Sequence, residues 1–236
     1  MKTAEIADLL MTAAARYETP AFIPADPVQF PHRYSEPTDI EIVGLLTALI
    51  SFGSRTQIIR KAATLCHMLG PSPTRYILER RFADDFSPDN GASFYRMISY
   101  STVRGWMERL RAAYDGYGSL GACLSAGEGS PMERMCAFLG VTPRSPQKKI
   151  NMFLRWMIRR DSPVDFGLWR QFSPADLIIP LDTHVVHTAC CLGLTASETY
   201  SLTAARRITD ALAQVFPGDP VRGDFALFGL GVENEI

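Results

Sequence analysis

The sequence predicts an all-helical protein, and three observations carry that prediction. Apolar residues recur at three- and four-residue spacing through most of the 236 residues. The stretches that keep this spacing are bounded by glycine, proline or serine. No stretch sustains the alternation with β-branched enrichment that marks a strand. There is no internal repeat and no low-complexity segment.

The opening "MKTAEIADLLMTAAARYETP" reads as amphipathic with internal acids, unlike a cleavable signal. Thr19 to Pro37 holds five prolines and few periodic apolar residues, so it should run over the surface. "TDIEIVGLLTALISF" then starts a helix that Thr38 or Asp39 can cap, with Glu41 in the first turn. Ile42, Leu45, Leu46, Leu49 and Ile50 recur along it at helical spacing. "SFGSR" breaks the run before Thr56 to Leu69 resumes it, giving a helix, a tight glycine turn and a helix. Further helices are expected in "GPSPTRYILERR", "SFYRMISYSTVRGWMERLRAAYDGYGSL" and "GSPMERMCAFLG".

Past Gly140 a loop leads to a helix from about Gln147, with Ile150, Phe153, Leu154 and Met157 on one face. The looped stretch "SPVDFGLWRQFSPADLII" runs into the helix of "PLDTHVVHTACCLGL". "TASETYSLTAARRITDALAQVF" and "DPVRGDFALFGLG" supply two more. This divides the chain into residues 1–37, 38–140 and 141–236.

Hydrophobic residues make up 47% and charged residues 21%, which places the chain among globular proteins and excludes a disordered one. The net charge of -1 argues against a uniform basic nucleic-acid coat while allowing a local basic face. No apolar run is long enough to cross a bilayer, so no membrane partner and a cytoplasmic location are expected. The five cysteines are odd in number and scattered, with no CxxC pair, as for reduced thiols outside any disulfide framework.

Three clusters hold the chemistry. Asp182 precedes the apolar series Val185, Ala189 and Leu192, which fits an N-cap whose carboxylate accepts backbone N–H groups. A carboxylate fixed in this way can also stabilise a developing cation. Lys148 and Lys149 stand side by side at the start of a helix, where the dipole and the neighbouring ammonium disfavour protonation and favour a nucleophilic amine. The plainer reading is a solvated basic pair. His184, His187 and Cys190 or Cys191 follow on adjacent turns and form an alternative metal-site reading.

Taken together, these residues resemble a known superfamily. "PLDTHVVHTACCLGL" is similar to the segment that carries the catalytic aspartate of the helix-hairpin-helix DNA glycosylases. "KKINMFLR" resembles the helix that bears the lysine of their bifunctional members, and "LLTALISFGSRTQIIRKA" resembles their helix pair whose turn penetrates DNA. "LRWMIRRDSPVDFGLW", "PLDTHV" and "DPVRGDFALFGLG" resemble an uncharacterised bacterial branch, domain-of-unknown-function family 2400. Three features depart from the glycosylase pattern. "GVTPRSPQKK" has one glycine and two prolines where a glycine-rich hairpin is usual, His187 replaces a frequent arginine, and the Lys148-to-Asp182 separation is long, as in archaeal 8-oxoguanine glycosylases.

The resemblance implies two helical lobes with a cleft between them, acting on damaged double-stranded DNA as a monomer. Lys148 would be the nucleophile and Asp182 its catalytic partner. Ser54, Arg55, Arg60, Lys61, Arg144, Lys149, His184 and His187 would meet DNA, with Ser54 and Arg55 as the wedge. Trp169, Asp224, Phe225 and Phe228 would line the base pocket. The product would be an excised oxidised base, 8-oxoguanine first, and a strand cut by elimination. No cofactor or metal is expected. The iron–sulfur cluster of the bacterial endonuclease branch is not expected either, because "FGLGVENEI" lacks its cysteines. A non-catalytic nucleic-acid-binding module and a helical interaction protein in which Asp182 is only a cap remain the alternatives.

Overall fold

The computed structural model describes residues 3–232; the ends beyond them, including the "ENEI" that bears on an iron–sulfur cluster, lie outside the described residues. The chain is mostly helical. In order it forms α1 (Thr3–Tyr17), α2 (Pro37–Ile50), α3 (Arg55–Leu69), α4 (Pro73–Leu78) and α5 (Phe82–Asp85). A small pair of strands follows, β1 (Ser93–Tyr95) and β2 (Ile98–Ser99). Then come α6 (Tyr100–Tyr117), α7 (Leu120–Ser125), α8 (Pro131–Leu139), α9 (Lys148–Ile158), α10 (Thr183–Cys191), α11 (Leu202–Ala213) and α12 (Gly223–Val232). Two compact units result. One holds the chain up to Ile23, Ser130–Cys136 and everything from Thr142 onward; the other holds Pro24–Gly129 and Ala137–Val141.

The Pro24–Gly129 unit is built around α2, which is buried on every side from Asp39 to Ile50. Its apolar surface is therefore wider than the single face expected. The proline-rich segment is the reason. It does not wander over the surface: it winds into short 3-10 turns that bury Val28 and Phe30 completely, and the turns at Pro27–Gln29 and Pro31–Arg33 pack on α2. Proline fixes φ for such turns without any helical period, so the inward residues carry no periodic signal.

The expected caps of α2 also differ. Pro37 opens the helix and Glu36 occupies the cap position without a side-chain bond. Thr38 and Asp39 lie inside the first turn, where Asp39 Oδ1 accepts from Thr74 N at 2.7 Å and Thr74 Oγ1 at 2.6 Å. Buried Glu41 accepts from Tyr114 Oη at 2.7 Å and from the Leu120 and Gly121 amides at 3.0 and 3.3 Å. The two acids thus satisfy the starts of α4 and α7, and burial together with Glu41 pushes the Tyr114 phenol far up.

The long helix expected from "SFYRMIS" onward starts only at Tyr100. The preceding residues pair antiparallel, Ser93 with Ser99 and Tyr95 with Ile98, and Arg96 turns the chain at φ 53°. Strands of three and two residues are too short to show alternation. Ser99 then caps α6 by accepting from Thr102 N at 3.1 Å.

In the other unit, α1, α10, α11 and α12 enclose a core that includes Leu10, Ala14, Leu181, Val185, Ala189, Ile208, Leu212 and Leu227. Helix α12 lies against α1 and α10 because its glycines permit close approach. A Cβ on Gly229 would fall 2.1 Å from the Tyr17 ring. Gly229→Ala is therefore expected to destabilise the protein by about 1–3 kcal/mol, read as a lower urea midpoint at unchanged slope.

Helix α9 is buried from Ile150 to Ile158. Its last carbonyls are satisfied by the following loop: Phe166 N donates to Trp156 O at 2.8 Å and Trp169 N to Met157 O at 2.9 Å. Gly167 makes that return possible, at φ 61° and with a virtual Cβ only 2.8 Å from Arg159 O. Among the described residues no helix is long and apolar enough to cross a membrane.

Candidate functional site

Asp182 caps α10 as the sequence suggests, with Oδ1 accepting from Val185 N at 3.0 Å. Leu181, the residue before it, is fully buried. The cap uses one carboxylate oxygen. The other, Oδ2, faces Lys148 Nζ at 4.0 Å, and the two side chains are only 28% and 25% exposed. A sheltered but reachable lysine–carboxylate pair is the outcome.

Lys148 is the first residue of α9, and the backbone ahead of it is unusual. Gln147 adopts φ 50°, a left-handed conformation that costs a non-glycine residue energy. Gln147 Nε2 donates to Thr142 O at 3.0 Å, and Asn151 Nδ2 donates to Pro146 O at 2.8 Å. These bonds hold the turn that presents Lys148. Its neighbour Lys149 is half-buried, and burial first and the Lys148 charge second hold its amine below the usual value.

Lys148, Arg155 and Arg159 are spaced by seven and four residues, so they lie along one stripe of α9. Carboxylates line that stripe. Arg155 donates through Nη1 to Asp224 Oδ2 and through Nε to Asp165 Oδ1 at 3.3 Å. Arg159 reaches Asp165 through Nη1, Glu18 Oε1 at 2.8 Å through Nη2, and both oxygens of Asp219. Arg222 Nε completes the set on Glu18 Oε2 at 2.9 Å.

Asp224, on α12, connects this network to the pair. Its carboxyl is pushed up to about 6, with burial the largest cause, Arg155 opposing it, the Asp182 charge adding to it and Lys148 opposing it. It therefore senses both members of the pair. Tyr200 belongs to the same surroundings: partial burial and then the Asp182 charge raise its phenol above the usual value.

The remaining residues expected in the base pocket are mostly enclosed. Phe225 is 1% exposed, with Phe22 edge-on at 5.3 Å and the Arg155 guanidinium 4.3 Å from its centroid. Trp169 is 2% exposed and meets Phe153 edge-on at 5.3 Å, so it pins the loop that returns over α9. Phe228 is half-buried beside Phe22.

Of the residues expected to meet DNA, Arg144, His184 and His187 are exposed in the unit that carries the pair. Ser54, Arg55, Arg60 and Lys61 belong to the other unit. There Ser54 Oγ caps α3 by accepting from Gln57 N at 3.3 Å, and Arg55 and Arg60 are exposed. Lys61 Nζ lies 4.2 Å from the Phe94 centroid, its amine held below the usual value by burial and then by Arg60. The metal reading of His184, His187 and the α10 cysteines finds no support, since no three His, Cys, Asp or Glu side chains gather as ligands among the described residues.

The charged network is what sequence reasoning missed. Its signal was present in "LRWMIRRDSPVDFGLW" and "DPVRGDFALFGLG", two largely apolar stretches that hold every network residue but Glu18. No curated protein and no solved structure matches the chain. A family match does extend over residues 26–138 and 128–233, and it takes in both of those stretches. The chain belongs to that family, described as protein of unknown function DUF2400.

Proposed function

We propose that the protein is a DNA repair glycosylase with lyase activity on abasic sites, removing an oxidised base, foremost 8-oxoguanine, from double-stranded DNA. The observation that carries this reading is the Lys148–Asp182 pair, 4.0 Å apart and partly sheltered from water. Asp182 spends one oxygen on the cap, which orients the other without further cost.

In this reading the damaged nucleotide is turned out of the duplex. Asp182 takes the proton from Lys148, and the amine attacks the anomeric carbon of the sugar. The N–C bond to Lys148 forms as the glycosidic bond breaks, and the base departs with the bonding electrons and takes up the proton that Asp182 accepted, which returns Asp182 to a carboxylate. Asp182 stabilises the positive charge that develops on the sugar. Ring opening gives a Schiff base on Lys148, and loss of a proton from the adjacent sugar carbon expels the 3′ phosphate. Arg144 and Lys149 are the phosphate contacts proposed on this unit, and Arg55, Arg60 and Lys61 those on the other.

Borohydride trapping on a duplex with a single 8-oxoguanine tests the reading. A covalent adduct is expected from the wild-type protein and from Lys149→Gln, and none from Lys148→Gln. An abasic duplex run in parallel separates the chemistry from the choice of lesion. No adduct on either duplex would sink the lyase reading and leave a binding module on a helical scaffold.

A further inference from the structure

The far end of α10 carries a second constellation, independent of the Lys148–Asp182 pair and of the function proposed for it. His187 and Cys191 lie one turn apart, on the same face of the helix. His187 Nε2 stands 3.7 Å from Cys191 Sγ, and His187 Nδ1 stands 2.9 Å from Glu198 Oε1. Glu198 is a hydrogen-bond acceptor in its ionised form, so the proton of the imidazole belongs on Nδ1. Nε2 is left as the acceptor facing the thiol. A thiol, an imidazole that accepts its proton and a carboxylate that orients the imidazole form the ordered set that activates a nucleophile.

The other four cysteines lack this arrangement. Cys66 and Cys136 are buried, and burial pushes the Cys66 thiol up to about 11 and raises that of Cys136. Burial also raises the thiol of Cys123. Cys190 is half-buried and one residue away, hence about 100° around the helix from the His187 face. Cys191 alone is exposed.

We propose that Cys191 is a nucleophilic modification site that takes low-molecular-weight disulfides, with His187 as its general base and Glu198 positioning the imidazole. The thiol proton passes to His187 Nε2 as the sulfur attacks. A bond forms between Cys191 Sγ and the near sulfur of the disulfide while the S–S bond of the reagent breaks. The leaving thiolate takes the proton from His187, so one thiol and one disulfide become one mixed disulfide and one thiol. Excess small thiol reverses the exchange by the same steps.

The test uses the full chain and dithiodipyridine, an uncharged disulfide whose released thione is read by absorbance, followed by peptide mass mapping. One fast thiol is expected, mapping to Cys191, released again by dithiothreitol and absent in Cys191→Ser. General-base assistance is worth about 10²–10⁴-fold in enclosed sites, and this open site is placed below that range. His187→Gln should slow the fast phase about five- to tenfold and alter its dependence on pH. Glu198→Gln should slow it by a smaller factor of about threefold, since it removes only the orienting partner. A fast phase that maps to Cys190 or Cys123 would overturn the proposal. So would a Cys191 rate that His187→Gln leaves unchanged.

Discussion

Arg159→Ala is expected to destabilise the protein by about 3–5 kcal/mol, because it removes the central guanidinium of a buried network and leaves Asp165 with Arg155 alone and Glu18 with Arg222 alone. Arg159 is 1% exposed and its guanidinium donates to Glu18, Asp165 and Asp219. Burial alone would ease its proton off; the Asp219 hydrogen bonds and the charges of Asp165, Asp219 and Glu18 outweigh that and hold it charged. Asp165 has a side-chain exposure of 0% and Glu18 of 5%, so water cannot replace the lost donors. Arg159→Lys should recover little, since a single ammonium cannot serve three carboxylates through a planar fork. Urea unfolding of both variants checks this. A loss under about 1 kcal/mol, the level of a surface ion pair, would mean that the carboxylates rehydrate and the network is looser than its geometry.

The network also bears on the chemistry, through α9. Arg155 and Arg159 share a stripe with Lys148, and their partners come from the chain after α1, the loop after α9, and the start of α12. Fixing the two arginines fixes the rotation of α9 about its axis. That rotation decides where Lys148 points. Asp224 has a further part, since it is bound to Arg155 and senses the charges of Lys148 and Asp182.

How much of this was legible in the sequence depends on how each feature encodes itself. The helices around the Asp182 cap could be read because their apolar residues recur at a fixed period, and the cap because an acid at an extended residue before such a series has one common use. The Lys148–Asp182 pairing was reached through resemblance, since no local rule links positions 34 residues apart. Val28 and Phe30 were misplaced because proline-directed turns bury residues without a period. The β1–β2 pair was missed because it is shorter than any pattern. The arginine–carboxylate network left charged residues inside apolar stretches, a signal of buried pairing that names no partner until the fold joins residues 18, 159 and 219.

Asp182→Asn is expected to leave the fold intact and to lower base release by about 10²-fold or more, the scale of lost acid–base assistance. Asparagine and aspartate cap helices almost equally well, so the bond to Val185 N survives the change. The ion pair with Lys148 is lost, but at one-quarter exposure such a pair contributes at most about 1 kcal/mol. Asp182→Ala removes the cap as well and should cost about 0.5–2 kcal/mol of stability in addition. The two variants therefore separate the uses of one side chain. If the carboxylate acts chemically, both lose base release and the alanine variant loses the more stability. If Asp182 is a cap alone, the asparagine variant keeps both, and the second oxygen facing Lys148 serves only to hold α9 against α10.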